Sequence, residues 1–173
     1  MVSRCLIPAK HQPAHFLLRS SLRQRHGLKL GPSNFHREAA KGAKILMWID
    51  RWSERVIGAA IEVHRTLGPG LLESVYETAL AAEFSDRGIP FERQKAVPIR
   101  YRGIVLDGGL RLDFLIGGEL ILELKTVDRL TDIHRAQILT YMKVTGCPVG
   151  LLINFNTAFL KTGIKRFVRH APE

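Results

Sequence analysis

Asp113, Glu123 and Lys125 are charges set inside two short apolar runs, in the stretch RLDFLIGGELILELK at positions 111–125. An unpaired charge inside a strand is costly, so a chain that keeps three there must satisfy them. Two carboxylates about 4 Å apart, at an effective dielectric near 20, repel by roughly 4 kcal/mol. The pair persists if one carboxyl stays protonated or a cation lies between them. A hard divalent cation such as Mg²⁺ takes oxygen ligands and keeps several waters, so one Asp, one Glu and a backbone carbonyl suit it. A lysine beside that cation could position a water and offset negative charge growing on a phosphate. The plain alternative is a solvated outer face of an edge hairpin, with Lys125 in a surface ion pair.

Strand parity and register bear on this choice. Side chains alternate faces along a strand, so Leu112, Phe114 and Ile116 form one set and Leu120, Leu122 and Leu124 another, both expected on the core face. Asp113, Glu123 and Lys125 then fall together on the opposite face. A two-residue Gly117-Gly118 turn would pair Asp113 with Leu122 and mix the faces. A three-residue loop, Gly117 to Glu119, pairs Ile116 with Leu120 and Asp113 with Glu123. The parity therefore predicts the three-residue loop, with glycine supplying a left-handed residue.

Other residues could complete such a site. Gln137 and Tyr141 lie one turn apart in HRAQILTYMK and could hold a phosphate or brace a water; an ordinary amphipathic helix would also place them so. In GLLESVY, Gly70 and Glu73 are common helix-start residues, and Tyr76 follows one turn on. Functionally, Glu73 could be a third carboxylate of a metal shell, directly or through water. His64 ends the preceding helical pattern, where a helix-end or packing role is the ordinary reading.

The elements that must carry these residues are legible from periodicity. IDRWSERVIGAAIEVHRTLG and LLESVYETALAAEFSDRG are helical, each ending at glycine. Strand-like segments follow around Phe91–Tyr101, Ile104–Leu106, Leu110–Ile116 and Leu120–Lys125. A helix from about Thr131 to Thr145 precedes PVGLLINF, which reads as a fully buried strand, and a more exposed last strand follows. The order predicts an α/β fold, a mixed sheet flanked by helices.

The chain carries 26 Lys/Arg against 16 Asp/Glu, a net +10. Residues 1–44 hold nine of the cations and one acid, giving +8, so residues 45–173 carry 17 and 15, giving only +2. The global charge therefore says little about nucleic-acid binding by the folded part; Arg93, Lys95, Arg100, Arg102, Lys161, Lys165 and Arg166 are the candidates for a local basic patch. Residues 1–46 show no sustained period and no apolar signal region, and read as a basic, disordered extension or upstream sequence before a natural start at Met47. A mitochondrial targeting segment has the same composition. Residues 47–173 form the expected globular domain. Two dissimilar cysteines, Cys5 and Cys147, suggest no disulfide framework and fit a reducing, cytoplasmic setting. No aliphatic run is long enough to span a membrane.

Together the motifs resemble the PD-(D/E)XK nuclease superfamily, and within it the small bacterial GxxExxY proteins. Gly70-x-x-Glu73-x-x-Tyr76 matches the naming motif, Asp113 with Glu123-Leu124-Lys125 looks like the D…ExK core, and Gln137-x-x-x-Tyr141 is similar to the QxxxY motif of RecB-type nucleases. Leu112 stands where the superfamily name has proline. The resemblance implies a restriction-endonuclease-like αβββαβ core and a metal-dependent nuclease acting on DNA, with Mg²⁺ or Mn²⁺ as cofactor. It further implies Glu73, Asp113 and Glu123 as metal ligands, Lys125 as the catalytic lysine, and Gln137, Tyr141 and Tyr76 as supporting or substrate-binding groups. His64 gains a metal-ligand role as an alternative. A catalytically silent nucleic-acid or protein-interaction module with the same fold is the competing reading, and a protein partner or homodimer stays open.

Overall fold

The computed structural model describes the backbone of residues 34–169, with side chains at Met47 and from Arg51 to Arg169. Helix α1, Asn34–Leu67, begins upstream of Met47, where the hydrophobic period starts. The rest of the basic N-terminal segment lies outside the described residues. Helix α2 spans Glu73–Asp86, followed by strands β1, Phe91–Tyr101, β2, Ile104–Ile116, and β3, Leu120–Lys125. Helix α3, Asp132–Thr145, leads into β4, Val149–Asn154, a single turn α4, Leu160–Gly163, and β5, Ile164–Val168. The two segments expected at Ile104–Leu106 and Leu110–Ile116 are one continuous strand, because Asp107-Gly108-Gly109 bulges opposite Pro98, with Gly108 at a φ of 83°, instead of ending the strand in a turn.

The five strands lie in chain order, β1-β2-β3-β4-β5. Only the β3–β4 pair is parallel, joined by α3 as a crossover. The sheet is mixed and carries helices on both sides, as the pattern of elements predicts. One face packs against α1 and α2 through Val56, Ala60, Tyr76, Leu80 and Phe84, meeting Phe114, Ile116, Leu122 and Leu124 from the sheet. The other face packs against α3 through Ile138 and Met142, meeting Leu115, Ile121 and Leu152. Gly150 lets α3 come close, since a Cβ there would meet Met142 and Ile138 at 2.8–2.9 Å.

Two expectations need correction. The face opposite Phe114 and Leu122, expected as the non-core face of the hairpin, is a second core, so β3 is buried on both sides from Leu120 to Leu124. Leu112 belongs to that second core and does not share a face with Phe114. The cause is a break in parity. Gln94 lies between the pairs Arg93↔Phe114 and Lys95↔Leu112, level with Asp113, and adopts a left-handed φ of 50°. Arg93 reaches α2 on one side, whereas Leu112, paired with Lys95, lies in the core on the other. Both strands of the hairpin exchange faces at Gln94 and Asp113. A left-handed non-glycine residue costs on the order of 1–3 kcal/mol and is held only where its surroundings enforce it.

The β2–β3 register is the one parity demanded. Ile116 pairs with Leu120, Leu115 with Ile121 and Phe114 with Leu122, across the three-residue loop Gly117–Glu119. Gly117 and Gly118 both have positive φ, 57° and 76°, and Glu119 N–H donates to the Ile116 carbonyl at 3.1 Å.

Candidate active site

The β2–β3 ladder stops at Phe114↔Leu122, one residue before Asp113 and Glu123 would pair. Into that gap Asp113 turns its carboxylate, where Oδ2 accepts the Leu124 N–H at 2.8 Å. A side chain thus replaces the missing rung, satisfying the freed amide and fixing the carboxylate between the strands. Gln94, level with it on β1, acts to lower the pKa of the same carboxyl.

Glu123 is buried, only 3 % exposed. Its Oε1 accepts from Lys125 Nζ at 2.8 Å, and Nζ also donates to the Leu124 carbonyl at 2.8 Å. Its other oxygen, Oε2, is buried with no hydrogen-bond partner among the described residues. Burial, then the Asp113 charge, push Glu123 up to about 7, against the opposing pull of Lys125. Burial also raises Asp113, offset in part by the Leu124 amide and Lys125. Burial alone would lower Lys125, but its bond to Glu123 and the fields of Glu123, Glu73 and Asp113 carry it above the ordinary value. The four groups form one electrostatic unit of three carboxylates and a single ammonium.

Glu73 joins this unit from the first turn of α2. Burial raises its pKa, Lys125 lowers it, and Asp113 and Glu77 raise it again. What delivers Glu73 is the rest of its motif. Gly70, at φ 92°, turns the chain into the helix. Tyr76 is fully buried; its hydroxyl donates to the Gly68 carbonyl at 2.6 Å and accepts the Leu71 N–H at 3.2 Å. Tyr76 is a clamp on the loop that aims Glu73. Its ring stacks on Phe155, centroids 4.4 Å apart, and the Phe155 N–H donates to the Lys125 carbonyl at 2.8 Å. Tyr76, Phe155 and Lys125 thus connect the α2 loop to the end of β3.

The remaining expected residues are placed differently. Gln137 Nε2 donates to Tyr141 Oη at 2.8 Å, so these two form a pair on α3, bonded to each other. His64 is buried beside Phe155, its Nε2 2.8 Å from the Thr157 carbonyl, and holds the segment after β4. In the basic patch, Arg93 is engaged by Glu77 at 2.5 Å and Lys95 by Glu92 at 2.6 Å.

Three residues the sequence reading passed over bear on the site. Glu77, one turn beyond Glu73, is buried against Arg93 and raises Asp113 and Glu73; the i, i+4 spacing of two acids was its signal. Asn154, 2 % exposed, accepts the Val127 N–H and donates to the Val127 carbonyl, pinning the chain just after Lys125. A lone polar residue closing an apolar strand was its trace. Gln94 leaves no signal at all, since a left-handed glutamine inside a strand follows no propensity.

Among the described residues no group of three or more His, Cys, Asp or Glu side chains stands ready-made as a metal cage. The donor chemistry nevertheless fits a hard cation. Glu123 Oε2 is an orphaned buried acceptor, and the carboxylates beside it raise one another's pKa, as groups lacking a counter-charge do.

A mixed sheet flanked by helices, with a carboxylate at the broken end of the central hairpin and an acid and a lysine on the next strand, defines a restriction-endonuclease-like fold. The chain belongs to the PD-(D/E)XK nuclease superfamily, whose family model matches residues 50–167. No curated protein and no solved structure matches it. The membership supports a nuclease-type function and nucleic acid as partner, and enzymes of this superfamily generally use divalent metals such as Mg²⁺. No helix among the described residues is long and apolar enough to cross a membrane.

Proposed function

We propose that this chain is a divalent-metal-dependent phosphodiesterase acting on DNA, one of the GxxExxY group within its superfamily, with residues 47–173 as the working domain. The buried Glu123, paired with the partly exposed Lys125 beside Asp113 and with one carboxylate oxygen left without a partner, carries this reading. Asp113 and Glu123, with Glu73 directly or through water, would hold Mg²⁺ or Mn²⁺, which when bound supplies Lewis acidity toward a phosphate and its attacking water. Lys125 holds that water for in-line approach and offsets the charge that develops on the phosphate as a P–O bond forms and the P–O bond to the sugar breaks. The Leu124 amide keeps the Asp113 carboxylate oriented between the strands. Gln137 and Tyr141 act on the substrate side from α3.

One observation favours a second reading. With no three-ligand cage among the described residues, a catalytically silent nucleic-acid or protein-interaction module is also consistent with the fold. A single assay separates the two. Full-length wild type and Asp113→Ala are incubated with single- and double-stranded DNA and RNA in Mg²⁺, Mn²⁺ or EDTA. Cleavage of DNA by wild type, abolished by EDTA and by the substitution, supports the nuclease. No cleavage by either protein in any metal, or equal cleavage by both, overturns it.

A further inference from the structure

Beyond the site, β1 and β2 run on as a two-stranded arm. Every residue from Arg100 to Gly109 is exposed, including Tyr101 at 58 % and Ile104 at 66 %. Its tip is the two-residue turn Arg102-Gly103 between the paired residues Tyr101 and Ile104. Arg102 is left-handed, φ 47°, at a position where glycine or asparagine would sit without strain. Its guanidinium lies over the Tyr101 ring, 5.4 Å from the centroid. Cross-strand partners share a face, so Tyr101, Ile104, Ile99 and Leu106 make one apolar strip beneath that guanidinium.

Charge is concentrated on the same arm. Residues 96–111 hold Arg100, Arg102 and Arg111 against Asp107, a net +2. Residues 45–173 also total +2, so the rest of the folded part sums to zero. None of the three arginines has a carboxylate partner among the described residues, in contrast to Arg93 and Lys95. Exposed cations interleaved with an exposed ring are what a single strand needs, its phosphates on the arginines and an unpaired base on the aromatic face. A duplex, with its bases stacked inside, would leave the Tyr101 face unused.

We propose that this arm is a grip for single-stranded nucleic acid, with Tyr101 as the stacking platform and Arg100, Arg102 and Arg111 as the phosphate contacts. The grip rests on the nuclease reading for its purpose, because β2 leads directly from the arm to Asp113. Tyr101 lies seven residues beyond Gln94, the residue level with Asp113. At about 3.3 Å per residue the platform is roughly 23 Å from the reacting phosphate, so a bound strand must reach that far.

The test is fluorescence anisotropy with the full-length protein in EDTA, using labelled DNA single strands of about 4 and 12 nucleotides and a 12-base-pair duplex. The 12-mer should bind at least about 10-fold more tightly than the 4-mer. Tyr101→Leu should weaken the 12-mer about 5- to 100-fold, the range of one base–aromatic stack. Arg102→Asn suits the left-handed turn, so the melting temperature should hold while affinity falls several-fold and the salt dependence loses about 0.7 of a unit of slope. Unchanged affinity in both variants, or equal weakening of duplex and single strand, overturns the grip. So does a light-scattering dimer that the two variants dissolve, which would make the arm a contact between copies. Because binding is read without metal, loss of the grip with intact metal-dependent cleavage fails the arm alone. Binding without cleavage fails the nuclease reading alone.

Discussion

The two ends of the β1–β2 hairpin are built from the same pair of strands and solve the problem of charge in opposite ways. At the buried end the hairpin's charges are met within the protein, Arg93 by Glu77, Lys95 by Glu92 and the Asp113 carboxylate by an amide taken from the broken ladder, while on β3 Lys125 answers one oxygen of Glu123 and leaves the other without a partner. At the free end Arg100 and Arg102, and nearer the site Arg111, are left without carboxylates among the described residues. Each end also carries one left-handed non-glycine residue, Gln94 at one and Arg102 at the other. Backbone strain in this hairpin coincides with the two places where a side chain has something to hold. At Gln94 the side chain lies level with the buried Asp113; at Arg102 it lies over the exposed Tyr101 ring.

That contrast can be broken by substitution, and the largest effect belongs to the buried end. Asp113→Ala or Lys125→Ala should lower metal-dependent cleavage by at least about 10²- to 10³-fold, the scale of losing one aimed electrostatic group, with single-turnover rates as the measure. Phe155→Ala should come next. It removes a fully buried ring that touches Tyr76 and His64, and should cost about 3–5 kcal/mol by denaturant unfolding. Ile104→Ala at the free end should stay within about 0.5 kcal/mol in the same experiment.

A smaller effect concerns pH. Glu123 holds its proton more tightly folded than unfolded, so its contribution to stability is complete below its ordinary value of 4.5 and is lost as pH rises through about 7. Glu123→Gln, which cannot ionise, should therefore melt above wild type beyond pH 7 in EDTA, and the advantage should vanish below pH 4.5. A constant difference across that window would mean the carboxyl is not coupled to folding. A small effect on stability is also expected at Gln94. Gln94→Gly relieves the left-handed backbone but removes the side chain that lowers the Asp113 pKa, so stability should move by no more than about 1 kcal/mol while cleavage slows. Loss of both together would make Gln94 a folding residue only.

Most of the architecture was readable from periodicity because the three long helices keep a helical period and each stops at or beside a glycine. The three-residue loop was readable for a stronger reason, since only one register keeps Phe114 and Leu122 together and turns Asp113 toward β3. Parity failed one residue further on. Counting alternate positions assumes an unbroken ladder, and at Gln94 and Asp113 the ladder is broken, which sends Leu112 to the other core. The second core itself was missed because Ile121 and Leu115 read as the outer side of a hairpin until α3 covers them. Tyr76 was read as a supporting or substrate group. Its spacing is the same for that role as for a clamp on the Gly68–Leu72 loop, and only its burial and hydroxyl partners separate them.

Phe155 has a role that its lone aromatic letter does not advertise. It receives the Tyr76 ring on one side, and its own backbone amide ends on the Lys125 carbonyl. The loop that carries Glu73 and the strand that carries Glu123 and Lys125 therefore share one hinge pin. Local opening of either would slacken the other, so the spacing between the two halves of the acidic cluster is tied to the local unfolding free energy of the segment after β4. Hydrogen exchange at the Phe155 amide should report on that spacing, and it should slow when a divalent ion draws the carboxylates together.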